Sequence, residues 1–308
     1  MISNTEFAPI AGKPLRLAPD LELVLAPNPS PMTFLGTNTY LIGQTSLAII
    51  DPGPNDPAHL AALQEAISGR KVEHILLTHS HRDHSLLAKP LSAITGAPVL
   101  AFGDSATGRS AVMQLLAAQG LAGGGEGIDH GFSPDQRVAD GEVIQGQWGE
   151  MVAHHTPGHM GNHLCFQWRD AVFTGDHIMD WASSLVSPPD GDLTDFMASC
   201  AKLRAHMASV YYPGHGAPIT RPADRLEWLI DHRTSRETQI LAALMDGPAS
   251  VQDVTRAVYH NIAPALQAAA ARNVLAHLID LHGRDKVNAV PTLSEHALFG
   301  LLTAETET

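Results

Sequence analysis

The sequence predicts an α/β fold followed by a small helical C-terminal module, on three observations. Apolar, β-branched segments alternate with segments of helical spacing twice, once before residue 110 and once after residue 135. In both halves the strands run out into His or Asp, at the strand ends where open sheets place their sites. From about residue 223 onward the pattern changes to three helices and one short strand.

The first half begins with "LELVLAP", "NTYLIG" and "SLAIIDPG", short strands that stop at Gly, Pro or Asp turn signals. Residues 57–68 read as a helix, because Pro57 suits the first turn and Gly69 follows the end. "KVEHILLTH" is a strand running into a histidine cluster, a helix is expected over 86–95, and "PVLAF" is a further strand. "QGLAGGGEGIDHG" (119–131) reads as a surface loop and lacks the Gly-Lys-Ser/Thr ending of a phosphate loop. "QRVADGEVI" reads as a hairpin turning at Asp140-Gly141. "EMVAHHT", "HLCFQW" and "DAVFTGD" are strands, and a helix over 193–208 and the strand "SVYYPGHG" close the second half. Leu226, Leu229, Ile230, Ile240, Leu241 and Leu244 mark a helix over 223–245. Ser250 is an N-cap for "SVQDVTRAVY", Pro264 opens a third helix to about Leu281, and "KVNAV" is a short strand. Three helices and a small strand make a winged-helix-like module.

At 308 residues the chain is long enough for two domains of about 150 residues, with expected limits 1–222 and 223–308. Hydrophobic residues make up 44%, enough to bury a large core. Two cysteines, Cys165 and Cys200, allow neither a disulfide framework nor a thiolate zinc site, and both read as buried packing residues. The N-terminal residues show no basic region leading into an apolar core, and no segment approaches eighteen uninterrupted apolar residues. A reduced, cytoplasmic setting is therefore expected, with no membrane partner. The net charge is −13, and the tail is acidic too, with seven Lys and Arg against ten Asp and Glu from residue 225 onward. Such a chain does not hold nucleic acid by bulk attraction. A small-molecule substrate is expected, RNA is disfavoured, and an oligomer stays open.

His79, His81, Asp83 and His84 fall within six residues, just past an apolar run. They are either clustered surface residues or half of a metal site whose other half lies elsewhere. Four such side chains can serve two ions, and imidazole with carboxylate suits zinc, iron or manganese. Three further segments supply the other half: His159 after a Pro-Gly turn, Asp176 after Gly175 at a strand end, and His215 between two glycines. With 18 histidines present, a single loop His is ordinarily a surface residue, and His59, His130, His206, His232 and His260 are assigned to that class. Of His154 and His155, adjacent on a strand, one is expected to face the core and one solvent.

"THSHRDH", "TPGH", "GDH" and "PGHG", preceded by "NTYLI" and "DPG", resemble the metallo-β-lactamase superfamily of dinuclear metallohydrolases over roughly residues 20–220. The resemblance implies an αββα sandwich of two similar halves with two metals at one edge. It implies that His79, His81 and His159 bind the first metal, that Asp83, His84 and His215 bind the second, and that Asp176 bridges them. Asp51 matches the family's supporting aspartate, and His163 stands where a group behind the ligands is expected. One departure is that "SLLAKP", not glycine, follows the histidine motif. The tail resembles the winged-helix module of the branch related to mitochondrial endoribonucleases, a fold that does not by itself mean nucleic-acid binding.

The implied chemistry is hydrolysis by a hydroxide held between two divalent ions, expected to be zinc with iron or manganese as alternatives, and oriented by the catalytic carboxylates Asp83 and Asp176. An ester, thioester, lactone or phosphodiester is the expected target. A β-lactam is not, since Asp176 stands where one lactamase class has cysteine. The alternatives are an iron-dependent oxidoreductase of the persulfide dioxygenase type, a single-stranded RNA endonuclease, and a regulator that binds DNA through the tail.

Overall fold

In the computed structural model, residues 7–123, 127–206 and 208–302 are described. The first-half strands are β1 (Leu15–Ala18), β2 (Leu21–Leu25), β3 (Asn38–Ile42), β4 (Ser46–Ile50), β5 (Lys71–Leu76), β6 (Val99–Ala101) and β7 (Gln136–Arg137), paired in that order in one seven-stranded sheet. The helices among them are α1 (Pro57–Ile67), α2 (Arg82–Ser85), α3 (Ala88–Thr95) and α4 (Ala111–Ala118). Asp56 caps α1 by accepting from His59 N, and Ser68, in the left-handed region, ends it. The second half forms a five-stranded sheet of β8 (Val143–Gly146), β9 (Gly149–His155), β10 (Leu164–Trp168), β11 (Ala171–Gly175) and β12 (Val210–Pro213), in the order β12-β11-β10-β9-β8, with α5 (Leu193–Arg204) on its outer face.

The layers follow from which faces are apolar. Tyr40 and Ile42 of the first sheet meet Phe166 and Phe173 of the second in the central core. On the far side of the first sheet, Ile49 and Ile75 pack under Leu63 of α1 and Leu91 of α3. On the far side of the second, Val172 and Tyr211 pack under Phe196 and Leu203 of α5. This is the expected αββα sandwich. Each fully buried side chain of this size contributes about 1.5–3 kcal/mol, so the two sheets are held face to face by apolar burial on both sides.

Three local expectations change. "QRVADGEVI" is not a hairpin: β7 pairs with β6 in the first sheet, β8 pairs with β9 in the second, and the Asp140-Gly141 turn carries the chain between sheets. The turn chemistry is legible in sequence, but the partner of each flanking strand is decided by the core. The helix expected over 86–95 is α3, which starts at Ala88, and it is preceded by the short, unexpected α2; between them Leu87 N bonds Gly53 O and draws the chain against the first sheet. Helix α4 has no counterpart among the expected elements; Ser110 caps it, and Met113 and Leu116 are buried.

The C-terminal segment contains α6 (Pro222–Ala243), α7 (Val251–Val258), a 3-10 turn (Pro264–Leu266) leading into α8 (Gln267–Gly283), and a three-stranded sheet of β13 (Ala249–Ser250), β14 (Val287–Val290) and β15 (Leu298–Leu301) in the order β13-β15-β14. Ser250 and Asp253 form a reciprocal capping box at α7. Ile240, Val254, Leu278 and Phe299 make a separate core, into which α4 inserts Met113 and Leu116. Helix α6 belongs to both cores: Leu226 and Leu229 pack with α5, whereas Ile240 and Leu244 pack with the tail. Among the described residues no helix is long and apolar enough to cross a membrane.

Candidate metal centre

The site is built where chain segments leave the strand ends of both sheets. Asp51 follows β4, Thr78 to His84 follow β5, His159 follows β9, Asp176 follows β11 and His215 follows β12. The two sheets are tied there by Leu164 N to Thr78 O at 2.7 Å and Asn38 N to Gly214 O at 2.8 Å. Strand pairing thus fixes the backbone around every candidate residue before any side chain is considered.

All seven predicted residues come together, in two groups: His79, His81, His159 and Asp176, and Asp83, His84 and His215, with one ligand atom from each lying within 4.8 Å of the others in its group. His81 Nδ1 faces His79 Nε2 at 2.9 Å and His159 Nε2 at 3.0 Å. Asp176 reaches both groups, with Oδ2 3.7 Å from His159 Nε2 and 3.4 Å from His215 Nε2, and Oδ1 3.5 Å from His84 Nε2. Asp83 Oδ2 lies 3.2 Å from His215 Nε2. Gly214 makes this approach possible, since a Cβ there would sit 2.4 Å from Asp176 Oδ1.

The outward nitrogens fix the tautomers. His159 Nδ1 donates to Leu185 O at 2.7 Å and His215 Nδ1 to Gly36 O at 3.0 Å. A carbonyl only accepts, so each Nδ1 carries a proton, and in the neutral ring each Nε2 lone pair points inward. Asp51 does the same for two more imidazoles: Oδ2 accepts from His84 Nδ1 at 2.9 Å and from the Thr78 hydroxyl at 2.7 Å, leaving Thr78 Oγ1 to accept from His79 Nδ1 at 3.0 Å. Asp51 is itself held in the left-handed region at φ 51. Thr37 Oγ1 donates to Asp83 Oδ2 at 3.1 Å.

Electrostatics distinguish the groups. Burial, reinforced by neighbouring imidazoles, holds His79 well below the usual value and His81 at about 3. In the second group burial also pushes His84 and His215 down, but Asp83 and Asp176 outweigh it, holding His84 well above its usual value and His215 at about 10. Burial pushes both carboxyls up, and the facing imidazoles override it, keeping Asp83 and Asp176 well below the carboxylate range. Inside the cluster, His84 Nε2 and Asp176 Oδ1 are buried without a hydrogen-bond partner. Inward lone pairs, two buried carboxylates and unpartnered atoms fit cations, and the His/Asp cluster is able to bind two metal ions.

Other predicted residues fall outside these groups. His163 lies behind His79, its ring tilted at 5.2 Å between centroids, and bonds Thr156 Oγ1, with Nε2 unpartnered. His177 turns away toward Cys200 Sγ at 3.6 Å. Burial pushes both thiols up to about 12, in keeping with packing roles. His59 is a correction: it is buried, not a surface residue, and faces Thr39 Oγ1 at 3.0 Å. Of the adjacent pair, His154 is buried and His155 is half-buried, stacked on Phe102. Part of the glycine-rich stretch, 124–126, lies outside the described residues, but its flank is pinned beside the cluster by Arg82 N to Gly127 O at 2.8 Å and Asp129 N to Ser80 O at 2.9 Å.

A model of the metallo-beta-lactamase superfamily matches residues 32–215, and one of the beta-lactamase associated winged helix domain matches residues 250–292. The chain belongs to the metallo-beta-lactamase superfamily. Most members of this superfamily are hydrolases. A relative in Drosophila melanogaster, named a beta-lactamase-like protein 2 homolog, is 31% identical over 295 residues, 91% of this chain and 94% of its own. The atrochrysone carboxyl ACP thioesterase of Paecilomyces divaricatus is 31% identical over 234 residues, 74% of this chain and 66% of its own. Among solved structures, a metallo-beta-lactamase family protein from Thermus thermophilus shares the fold, with a TM-score of 0.74 and 24% identity over 93% of this chain and 100% of its own.

Several residues that orient the site were not singled out in the sequence. Thr78 lies inside the quoted motif and Thr37 precedes "NTYLI". Leu185 and Gly36 act through backbone carbonyls, which leave no side-chain signal. Two C-terminal residues hold the Leu185 segment. Buried Arg233 donates to the carbonyls of Ser183 and Ser184, each at 2.6 Å, and to Asn273 Oδ1 at 2.9 Å. Asn273 Oδ1 also accepts from Val186 N at 3.2 Å.

Proposed function

We propose that the protein is a metal-dependent hydrolase of thioesters or closely related esters. His79, His81 and His159 would hold one divalent cation, Asp83, His84 and His215 a second, and Asp176 would bridge them, with zinc the expected metal. The observation that carries this reading is the convergence of the seven residues in two groups joined by Asp176. Bound there, two cations would acidify a water to near neutrality and polarise the carbonyl under attack.

The chain's own contribution is orientation. Backbone carbonyls and Asp51 keep the imidazoles in the tautomer a ligand needs. Asp83 has 25% of its side chain exposed against 10% for Asp176, so it is the carboxylate that meets substrate and orients the attacking water, whose proton, acidified by the cations, would pass to bulk solvent. Water's oxygen then bonds to the carbonyl carbon, the C–S bond breaks, and the electron pair leaves on sulfur. A thiol of pKa about 8.5 leaves readily as thiolate. Among the described contacts of the seven residues there is no Tyr or Lys to protonate a poorer leaving group. The similarity to an ACP thioesterase supports the same bond. The net charge of −13 weighs against RNA.

The test is elemental analysis of the purified protein followed by assay on thioester, lactone, β-lactam and single-stranded RNA substrates. Two zinc ions per chain, with thioester hydrolysis lost on chelation and restored by zinc, is the expected result. A single iron with oxygen consumption on a persulfide would instead establish the oxidoreductase alternative.

A further inference from the structure

Between the two parts of the chain lies a cavity of about 260 Å³. One wall is Met179, Trp181 and Leu185, on the segment that follows Asp176; the other includes Arg236 of α6, Tyr259, and Ala269 of α8. It adjoins both halves of the centre. The Leu185 carbonyl orients His159, and Trp181 lies over Gly216, next to His215, where a Cβ would come within 2.8 Å of the indole. Trp181 is fixed by stacking on Phe34 at 5.2 Å. The cavity is too small for a whole drug-sized ligand, since such pockets measure about 300–1,000 Å³. Its volume and position suit one portion of a substrate whose reacting bond lies at the metal centre.

Its chemistry narrows that portion. Most of the lining is apolar, and no Asp or Glu lines it, in a chain of net charge −13. The one full cation in the wall is Arg236. It stacks on Tyr259 at 4.1 Å, bonds Gln239 Oε1 at 2.6 Å and Val258 O at 3.3 Å, and makes no ion pair among the described residues, while its Nε has no hydrogen-bond partner. A half-buried guanidinium in a mostly apolar wall, with no carboxylate beside it, can still pair with an anion through Nη2.

We propose that this cavity is the acyl subsite of the centre and takes an apolar acyl chain whose far end carries a carboxylate paired with Arg236. The proposal rests on the thioester reading above. Three N-acetylcysteamine thioesters test it on the metal-loaded full-length protein: acetyl, octanoyl, and the half-thioester of octanedioic acid. The octanoyl substrate should exceed acetyl in kcat/KM by at least about 30-fold, from the added buried methylenes. The carboxylated chain should exceed octanoyl by about tenfold. Arg236→Gln should bring the carboxylated chain down to the octanoyl level, and Arg236→Lys should keep part of the preference. Ala269→Trp, at a half-buried position, should lower the octanoyl-to-acetyl ratio at least about fivefold by filling the space. A second readout needs no turnover: free octanedioate added to metal-free protein should change tryptophan emission, and Trp181→Phe should abolish the change.

Equal rates on acetyl and octanoyl thioesters, or a ratio that Ala269→Trp leaves unmoved, would overturn the subsite while leaving thioester hydrolysis standing. A carboxylated chain no better than octanoyl would overturn the pairing with Arg236. No emission change with octanedioate would overturn the subsite whatever the activity. Hydrolysis of none of the three thioesters would withdraw the thioester reading and the acyl subsite together.

Discussion

The two groups of the centre share Asp176 and the support of Asp51, but only one of them is also held from the C-terminal part of the molecule. In the group of His79, His81 and His159, the ring of His159 is aimed by the Leu185 carbonyl, and that segment is gripped by Arg233 and Asn273 of the C-terminal helices. In the group of Asp83, His84 and His215, every support comes from the first half of the chain: Asp51 on His84, Gly36 on His215 and Thr37 on Asp83. The charges differ too. Burial and neighbouring imidazoles keep His79 and His81 neutral, whereas the carboxylates around His84 and His215 call for positive charge. The difference teaches that the C-terminal helices can bear on the candidate centre without contributing any of its seven residues. They reach the ring of His159 through the Leu185 carbonyl, whereas the supporting hydrogen bonds to Asp83, His84 and His215 come from Thr37, Asp51 and Gly36.

Removing the shared element should have the largest effect. Two dications about 3.5 Å apart repel by roughly 19 kcal/mol at an effective dielectric of 20, an upper guide that a bridging carboxylate partly offsets. Asp176→Ala should therefore lower metal content from about two to about one per chain and activity at least about a hundredfold. Elemental analysis beside a Glu65→Ala control measures it, and a variant that keeps two metals would mean that Asp176 only caps a turn.

Asp51→Asn comes next, because Asp51 serves both groups, through Thr78 to His79 and directly to His84. Oδ2 accepts both of those bonds while Oδ1 accepts from Thr78 N at 2.8 Å, so an amide must turn its own N–H groups toward one set of donors, and affinity at both positions should fall about 10–100-fold. Zinc titration of metal-free protein resolves the two binding events. Weakening of only one would show that the support is not shared.

Arg233→Met tests the asymmetry itself. Affinity should fall about tenfold at the His79, His81 and His159 position and stay the same at the other. Arg233→Lys should restore only part, since one ammonium replaces a fork that holds two carbonyls and Asn273. Equal loss at both positions in the same titration would dissolve the contrast between the groups.

The smallest effect lies beside the first group. Asp192 caps α5 and its N–H bonds Gly158 O at 2.9 Å, next to His159. Burial, and then the charge of Asp192, pushes Asp195 up to about 6. The folded state thus binds this proton more tightly than the unfolded chain, where the pKa is about 3.9. The stabilisation is full below the unfolded pKa and is lost as pH rises through about 6. Asp195→Asn should remove that slope, altering the difference in Tm between about pH 4.5 and 7 by only a degree or two. Melting curves at the two pH values would detect it, and an unchanged difference would place Asp195 in a water-like setting.

The sequence by itself determined the fold class, the seven candidate residues and most helix and strand cores, for a physical reason. A ligand histidine at a strand end needs its small neighbours and its apolar run in the same local segment, and such patterns survive in one dimension. "THSHRDH" and "PGHG" carry both the side chains and the turns that aim them. Ser250 with Asp253 and Pro57 with Asp56 are local in the same way, so the starts of α7 and α1 were open to reading. Only the tertiary structure decided what depends on partners far apart in the chain. The strands around Asp140-Gly141 look like a hairpin until each sheet claims its own. His59 looks like a surface residue until Thr39, twenty residues away, meets its ring. Arg233 and Leu185 have no motif, because one acts through length and burial and the other through a carbonyl that every residue possesses. What a side chain can do chemically is local, but which backbone group it meets depends on packing and has no signature in the residue itself.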